Sequence, residues 1–360
     1  MNAHNKKILF LVPYPLCKAP SQRFRVELFL PIINKAELKY SIHPFIDDRA
    51  WNILYQKGKF FSKAWAIFKG FFKRWIIVLF KAPFYDYIFI HREATPLGPP
   101  VFEWIMAKLY GKKIIYDFDD AIWIPNTSSA NYFINWLKAF WKVKYLCKWA
   151  YKITPGNDYL YDYALQFNEN VIKIPTCIDV EMEHGKTKQY NNERLNIGWT
   201  GSHSTLKYLN EIIPVINELQ KDFDFNFLVI ADKNPLLPFK NFQFIPWNVS
   251  TEADDLLKLD IGVMPLLADE WSEGKCGFKL IQYFACGIPA VASPVGVNKI
   301  IVEEGVNGFL CSTNAEWKSS LQKLLADQFL RQKMGMAGRK KIIEYYSIQS
   351  QAAKFIQLFS

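Results

Sequence analysis

GKCGFKLIQYFACGIPAVASPVG, residues 274–296, joins a glycine turn, a mostly apolar run, a second glycine and a proline-led strand. The run 276–286 reads as a helix stopped by Gly287 and Pro289. PAVASP (289–294) reads as a short strand buried on both faces. Lys275 and Lys279 are four apart, so they share one face near the N-terminal end of that helix. Backbone N–H groups and the positive dipole end attract anions there. Two cations are unfavourable at that end unless something negative compensates, and a diphosphate fits. The alternative is a pair of ordinary surface lysines.

The same helix-to-strand grammar runs outward in both directions. KILFLV (7–12), YSIHPFI (40–46), DYIFIHR (86–92), KKIIYDFD (112–119), KITPGN (152–157) and VIKIPT (171–176) read as strands. LNIGWTG (195–201), FNFLVIAD (225–232), FQFIPW (242–247) and IGVMPL (261–266) follow in the second half. Continuous apolar runs separated by helical stretches make βαβ units and parallel sheets. Between the two sets lies a polar stretch poor in hydrophobes. The expected organisation is α/β: a doubly wound domain over 1–180, a linker over 181–194, a second doubly wound domain over 195–345 and a C-terminal helix over 346–360. A cleft between the domains is the expected place for a site.

Composition narrows the function. Half of the 360 residues are hydrophobic, enough for two cores. The six cysteines are scattered with no Cys-x-x-Cys pair, which fits reduced thiols rather than a disulfide frame or zinc site. The opening MNAHNKKILFLVPYP holds too short an apolar run for a signal peptide, and WIIVLF (75–80) is far shorter than a spanning helix. Charge is uneven. Residues 1–190 hold 27 Lys and Arg against 16 Asp and Glu, whereas residues 191–360 hold 17 against 18. A basic half suits an anionic surface or substrate, or is simply a solvated face. Residues 57–81 and 131–152 interleave lysine with Trp, Phe and Tyr. That is the composition of an interfacial helix on an anionic membrane, or of an amphipathic helix packed on a sheet. No nucleic-acid motif is present, so nucleic acid is not an expected partner.

G-x-G-x-x-G, G-x-x-x-x-G-K-[ST] and H-E-x-x-H are all absent, which argues against nicotinamide enzymes, P-loop NTPases and zinc proteases. LDIGVMPLLADEWSEGKCGFKLIQYFACGIPAVASPVG (259–296) resembles the C-terminal signature of the retaining GT-B glycosyltransferases, family 4 or "group 1". YDYIFIHRE (85–93), VIKIPTCID (171–179), NGFL (307–310) and the final helices (338–359) are similar to further stretches of that family. The resemblance implies two Rossmann-like domains facing a cleft and transfer of a sugar from a nucleotide-sugar. A glycan or lipid-diphosphate acceptor follows, in surface polysaccharide assembly at the cytoplasmic face of the membrane. It also implies no cofactor and no metal.

Site residues follow from the same resemblance. Lys275 and Lys279 meet the donor diphosphate, with the Gly201-Ser202 turn and Lys207 opposite; Ser202 or Ser204 is the expected helix cap. Gln282 and Trp247 meet the ribose and nucleotide. Gln282 stands where the family's second Glu would be, and Glu273 is one residue away from the first. His91 and Glu273 lie near the transferred sugar. Arg23 and Arg25 are positioned to clamp an acceptor phosphate, with Arg92 beside them. Asp117, Asp119 and Asp120 stand at a strand's C-terminal end. Asp119 and Asp120 are read as catalytic and Asp117 as acceptor-binding, with an ion-paired structural cluster or a metal site as alternatives. Two other functions remain open: a sugar-nucleotide epimerase of the same fold, and a non-catalytic membrane scaffold.

Overall fold

The computed structural model describes residues 6–54, 56, 58–125, 137–191 and 193–360. Residues 1–5, Lys57, residues 131–136 of the second lysine–aromatic stretch, and Asn192 lie outside the described residues. The chain forms two compact units, Met1–Thr176 with Gln351–Ser360, and Cys177–Ser350.

The first unit carries a five-stranded sheet of order β2-β1-β3-β4-β5. Its strands are β1 (Lys7–Val12), β2 (Lys39–Pro44), β3 (Tyr87–His91), β4 (Lys113–Phe118) and β5 (Lys152–Pro155). Every pairing is parallel. Ile8 to Val12 and Tyr87 to His91 are buried throughout, as an apolar run covered on both faces requires. Chain order reverses between β1 and β3, so their C-terminal ends open a crevice at the switch point.

The second unit carries a six-stranded, wholly parallel sheet of order β11-β10-β9-β6-β7-β8. The strands are β6 (Leu195–Gly201), β7 (Phe225–Ala231), β8 (Phe242–Pro246), β9 (Ile261–Met264), β10 (Ala290–Ala292) and β11 (Gly308–Leu310). Here the reversal lies between β6 and β9. The helix Phe278–Ala285 packs on Gln328–Tyr345, and Ile213–Asp222 packs on Asn314–Ala326. A Cβ at Gly338 would lie 2.7 Å from the Phe284 ring, so the first of these pairs needs glycine there.

Three expectations are corrected. Residues 171–176 form no strand, only a single bridge from Val171 to Ile153. Pro175 has no N–H to give, and the Ile174 carbonyl is taken by Arg25. Residues 181–194 are no free linker but part of the second unit. Lys188 and Asp260 form an ion pair at 3.0 Å with both side chains almost wholly buried, and the Tyr190 hydroxyl donates to the Gly287 carbonyl at 2.8 Å. Last, the helix after the glycine turn starts at Phe278, with Cys276 still in the turn.

The tail Gln351–Ser360 belongs to the first unit rather than the second. Phe355 stacks on Phe29 with ring centroids 4.1 Å apart, and Phe359 sets its edge on Tyr87 at 5.7 Å.

Candidate active site

In the second unit, β6 ends at the switch point on Gly201. Its missing side chain matters. A Cβ there would lie 2.4 Å from the Trp199 ring and 2.9 Å from Lys279 Cε. Lys279 therefore lies directly against the end of β6, its ammonium 5.0 Å from the Trp199 ring centroid. β9 exits toward the short helix Glu270–Glu273, whose cap Asp269 accepts from the Ser272 N–H at 2.7 Å. Lys275 follows, 5.5 Å over the Trp271 ring. Gly277 (φ +66°) and Gly296 (φ +53°) hold the turn. A Cβ at Gly296 would lie 2.8 Å from the Glu273 carbonyl oxygen, so Glu273 and the β10 exit are pressed together.

Lys207 lies 5.2 Å over the Tyr208 ring, and Tyr208 Oη is 3.2 Å from Ser272 Oγ. The structure thus brings Gly201, Ser202, Lys207, Glu273, Lys275 and Lys279 to one edge of one sheet. Ser202 occupies the cap position of the 3-10 segment His203–Ile212, but its hydroxyl does not cap it. It bonds Ser204 Oγ instead, at 2.8 Å.

Gln282 and Trp247 meet at a residue that sequence reading missed. Glu252 is 5% exposed, and its Oε1 accepts from Trp247 Nε1 at 3.0 Å and from Gln282 Nε2 at 3.1 Å. Gln282, itself buried, therefore holds a carboxylate in place rather than standing open to a ribose. No periodicity or spacing links Glu252 to Gln282 across 30 residues, so only the fold reveals the pair.

The first unit has its own cluster at the β1–β3 switch point. His91 is fully buried. Its Nδ1 is 2.6 Å from Asp117 Oδ2, and its Nε2 is 2.9 Å from Ser21 Oγ. Ser21 is half-buried on the short helix Pro20–Arg25, so its hydroxyl, not the imidazole, is the outermost group of this chain. Ser21 carried no spacing signal.

Arg25 corrects an expectation. It is 2% exposed, bonded to Asp117 and to the Thr154 and Ile174 carbonyls, and is no acceptor clamp. Asp117, 1% exposed between Arg25 and His91, does not meet an acceptor either. Arg23 is buried too, its guanidinium 4.7 Å from the Phe24 ring. Arg92 bonds Asp119 at 2.8 Å and Asp120 at 2.6 Å. Burial opposes ionisation of Asp119, but the Arg92 charge, His91, and hydrogen bonds from Arg92 and Ser21 outweigh it. They hold the carboxyl well below its ordinary value. The three aspartates thus form an ion-paired cluster, and no group of three metal-ligating side chains occurs among the described residues.

Residues 194–327 match the family model for glycosyl transferases group 1. An uncharacterized glycosyltransferase of Methanocaldococcus jannaschii is 25% identical over 205 residues, which are 51% of this chain and 57% of that relative's length. The sucrose-phosphate synthase structure from Thermosynechococcus elongatus covers 98% of both chains at 12% identity and a TM-score of 0.68. HepE of Anabaena, solved with UDP, covers 98% of this chain and 99% of its own at 13% identity and a TM-score of 0.67. Residues 194–327 thus resemble the glycosyl transferases group 1 family, and the chain as a whole has the two-unit α/β, GT-B-like fold of these solved structures.

Proposed function

We propose that this chain transfers a sugar from a nucleotide-sugar to a hydroxyl or phosphate of a glycan or lipid-linked acceptor, with retention of configuration. The observation that carries the proposal is the contact of Lys279 with the Gly201 end of β6, at the switch point of the segment that matches the group 1 model, with Lys275 in the turn four residues before it. HepE, of the same fold, has been solved with UDP and with UDP-glucose, which supports a nucleoside diphosphate as the leaving group. Charge builds on the departing β-phosphate in the transition state, and preorganised cations lower that barrier most. Lys279 and Lys275 supply them, and Lys207 stands on the same edge. Glu273 provides the anion for an oxocarbenium-like sugar. In the first unit, the Ser21 hydroxyl, bonded to the His91–Asp117 pair, is the group offered to an acceptor. The proposed reaction includes no metal: Arg25 already pairs with Asp117, and Arg92 with Asp119 and Asp120.

The protein works at the cytoplasmic face of an anionic membrane, in surface polysaccharide assembly. No helix among the described residues is long and apolar enough to cross a bilayer. The helix Phe60–Phe80 instead buries Gly70, Arg74, Ile77 and Val78 and turns Phe61, Trp65, Phe68, Phe72 and Leu79 outward. Those five follow the three- and four-residue steps of one helical face. Lys69 and Lys73 flank the stripe.

The test is a turnover screen of nucleotide-sugars against lipid extract, with a chelator present, reading acceptor-dependent release of nucleoside diphosphate and the anomeric configuration of the product. Acceptor-dependent release with a retained anomer supports the reading. Release without acceptor indicates an epimerase, nucleotide binding without turnover indicates a scaffold, and loss of activity on chelation overturns the metal-free mechanism.

A further inference from the structure

The first unit holds a groove of about 280 Å³ that takes no part in the sites above. One wall is Pro99, Pro100, Val101 and Trp104; the other is Trp141, Tyr145 and Trp149. The second wall is a single face of the helix Lys142–Trp149 and the residue before it, since its three rings are four residues apart. Neighbouring rings meet edge to face or tilted, each pair with centroids 5.6 Å apart. The walls are fixed to one another. Lys142, buried beneath the helix, pairs with Glu93 at 2.7 Å and donates to the Thr95 carbonyl at 2.8 Å. The Gly98 N–H donates to the Leu137 carbonyl at 2.7 Å. The groove is therefore preformed, as small-ligand sites usually are.

Its chemistry is selective. The lining surface is apolar throughout, yet Val101 is 41% exposed, Trp104 47% and Trp141 52%. An extended peptide would leave its amides unpaired against such walls, at a cost for each buried group. A hydrocarbon chain has no such groups. Cations stand along the rim: the Lys144 ammonium is 5.1 Å from the centroid of the lining Tyr145, and exposed Lys148 follows one turn later. A symmetric dimer through this face would set those lysines against their copies, so a second copy of the chain is disfavoured. The convex aromatic stripe of Phe60–Phe80 suits a bilayer surface; this shallow open groove suits one chain lying along it.

Resting on the lipid-linked acceptor reading, we infer that the groove between Pro99–Trp104 and Trp141–Trp149 binds the hydrocarbon chain of a long-chain lipid phosphate, with Lys144 and Lys148 facing its anionic head. The site is a tail-binding subsite that selects lipid-linked acceptors over free glycans.

Binding of decyl phosphate and butyl phosphate, both below micelle-forming concentration, tests this by calorimetry on the full chain. Decyl phosphate should bind at least tenfold more tightly. Trp141→Ser, and separately the groove-filling Val101→Trp, should abolish that preference while leaving butyl phosphate affinity and the melting temperature near those of the parent. Both positions are largely exposed, so the variants fold. Phe61→Ser with Trp65→Ser, on the long helix, should keep the preference. Equal affinities, a preference that survives both groove variants, or one lost only in the long-helix variant would overturn the inference. No turnover enters the measurement. Tail-selective binding without sugar transfer therefore sinks only the transferase reading, and transfer without tail selectivity sinks only this one.

Discussion

Lys279 is the residue on which the proposed chemistry turns. Its stem fills the space left by Gly201 and its ammonium lies over Trp199, so it is held before any ligand arrives. A preorganised cation of this kind acts mainly on charge that develops at departure. Lys279→Ala should lower turnover by roughly a hundred- to a thousandfold while weakening donor binding much less. Lys279→Arg should restore part of the loss, since charge is kept while geometry changes. Steady-state kinetics with a direct donor-binding measurement separates the two effects, and near-normal turnover in the alanine variant would move the diphosphate elsewhere. A second residue reports on folding. Burial, with Lys81, Lys73 and Arg74 nearby, pushes His43 down to about 4, against about 6.5 in an unfolded chain. The unfolded state then binds more protons than the folded state between those values. Stability from this group is complete above about pH 6.5 and falls as pH drops toward 4. Melting temperature should decrease from pH 7 to pH 5, and His43→Gln should shrink the decrease. The imidazole is only partly buried, so solvent screening keeps the effect small.

At the scale of elements, two helices bury a cation among their apolar residues and leave aromatic rings outside. Phe60–Phe80 buries Arg74, which donates to the His43 and Val12 carbonyls at 3.1 and 3.3 Å, and exposes its aromatics. Lys142–Trp149 buries Lys142 and leaves Trp141 exposed. An interleaved lysine–aromatic composition is legible in the sequence. Which cation is drawn inward is not, because a buried ion pair or a cation capped by carbonyls needs partners from distant segments and leaves the periodicity unchanged. Replacing Phe61, Trp65 and Phe68 with serine should abolish cosedimentation with anionic vesicles while leaving the fold intact, because these rings touch little of the core. Circular dichroism and vesicle sedimentation check the two halves of that statement, and binding unchanged in the triple variant would remove this helix from the membrane.

For the whole molecule, the positive excess of residues 1–190 sets the range of that attraction. The screening length falls from about 10 Å at 0.1 M salt to about 3 Å at 1 M. Vesicle binding by the parent protein should therefore weaken steeply across that interval, with neutral vesicles bound poorly throughout. Equal binding to neutral and anionic vesicles would leave the aromatic stripe as the sole anchor. The sequence by itself determined the parallel α/β character of both units, since short apolar, β-branched-rich runs such as Ile8–Val12 and Phe225–Ala231, bounded by turn signals and helical stretches, read as strands covered on both faces. It also placed Lys279 at the start of an apolar helix, because a glycine turn before such a helix is a local pattern with a local physical meaning, whereas Lys275 lies in the turn and not on the helix face expected of it. Tertiary structure decided what depends on contacts between distant segments. Arg25 and Asp117, 92 residues apart, neutralise one another inside the first unit, so neither reaches a substrate. Glu252 is gathered under Gln282, and the Ser21 hydroxyl, not the His91 imidazole, becomes the outermost group of its relay. Burial and partner choice decide whether a charged side chain serves the fold or a ligand, and both arise only when remote strands and loops meet at the sheet edge.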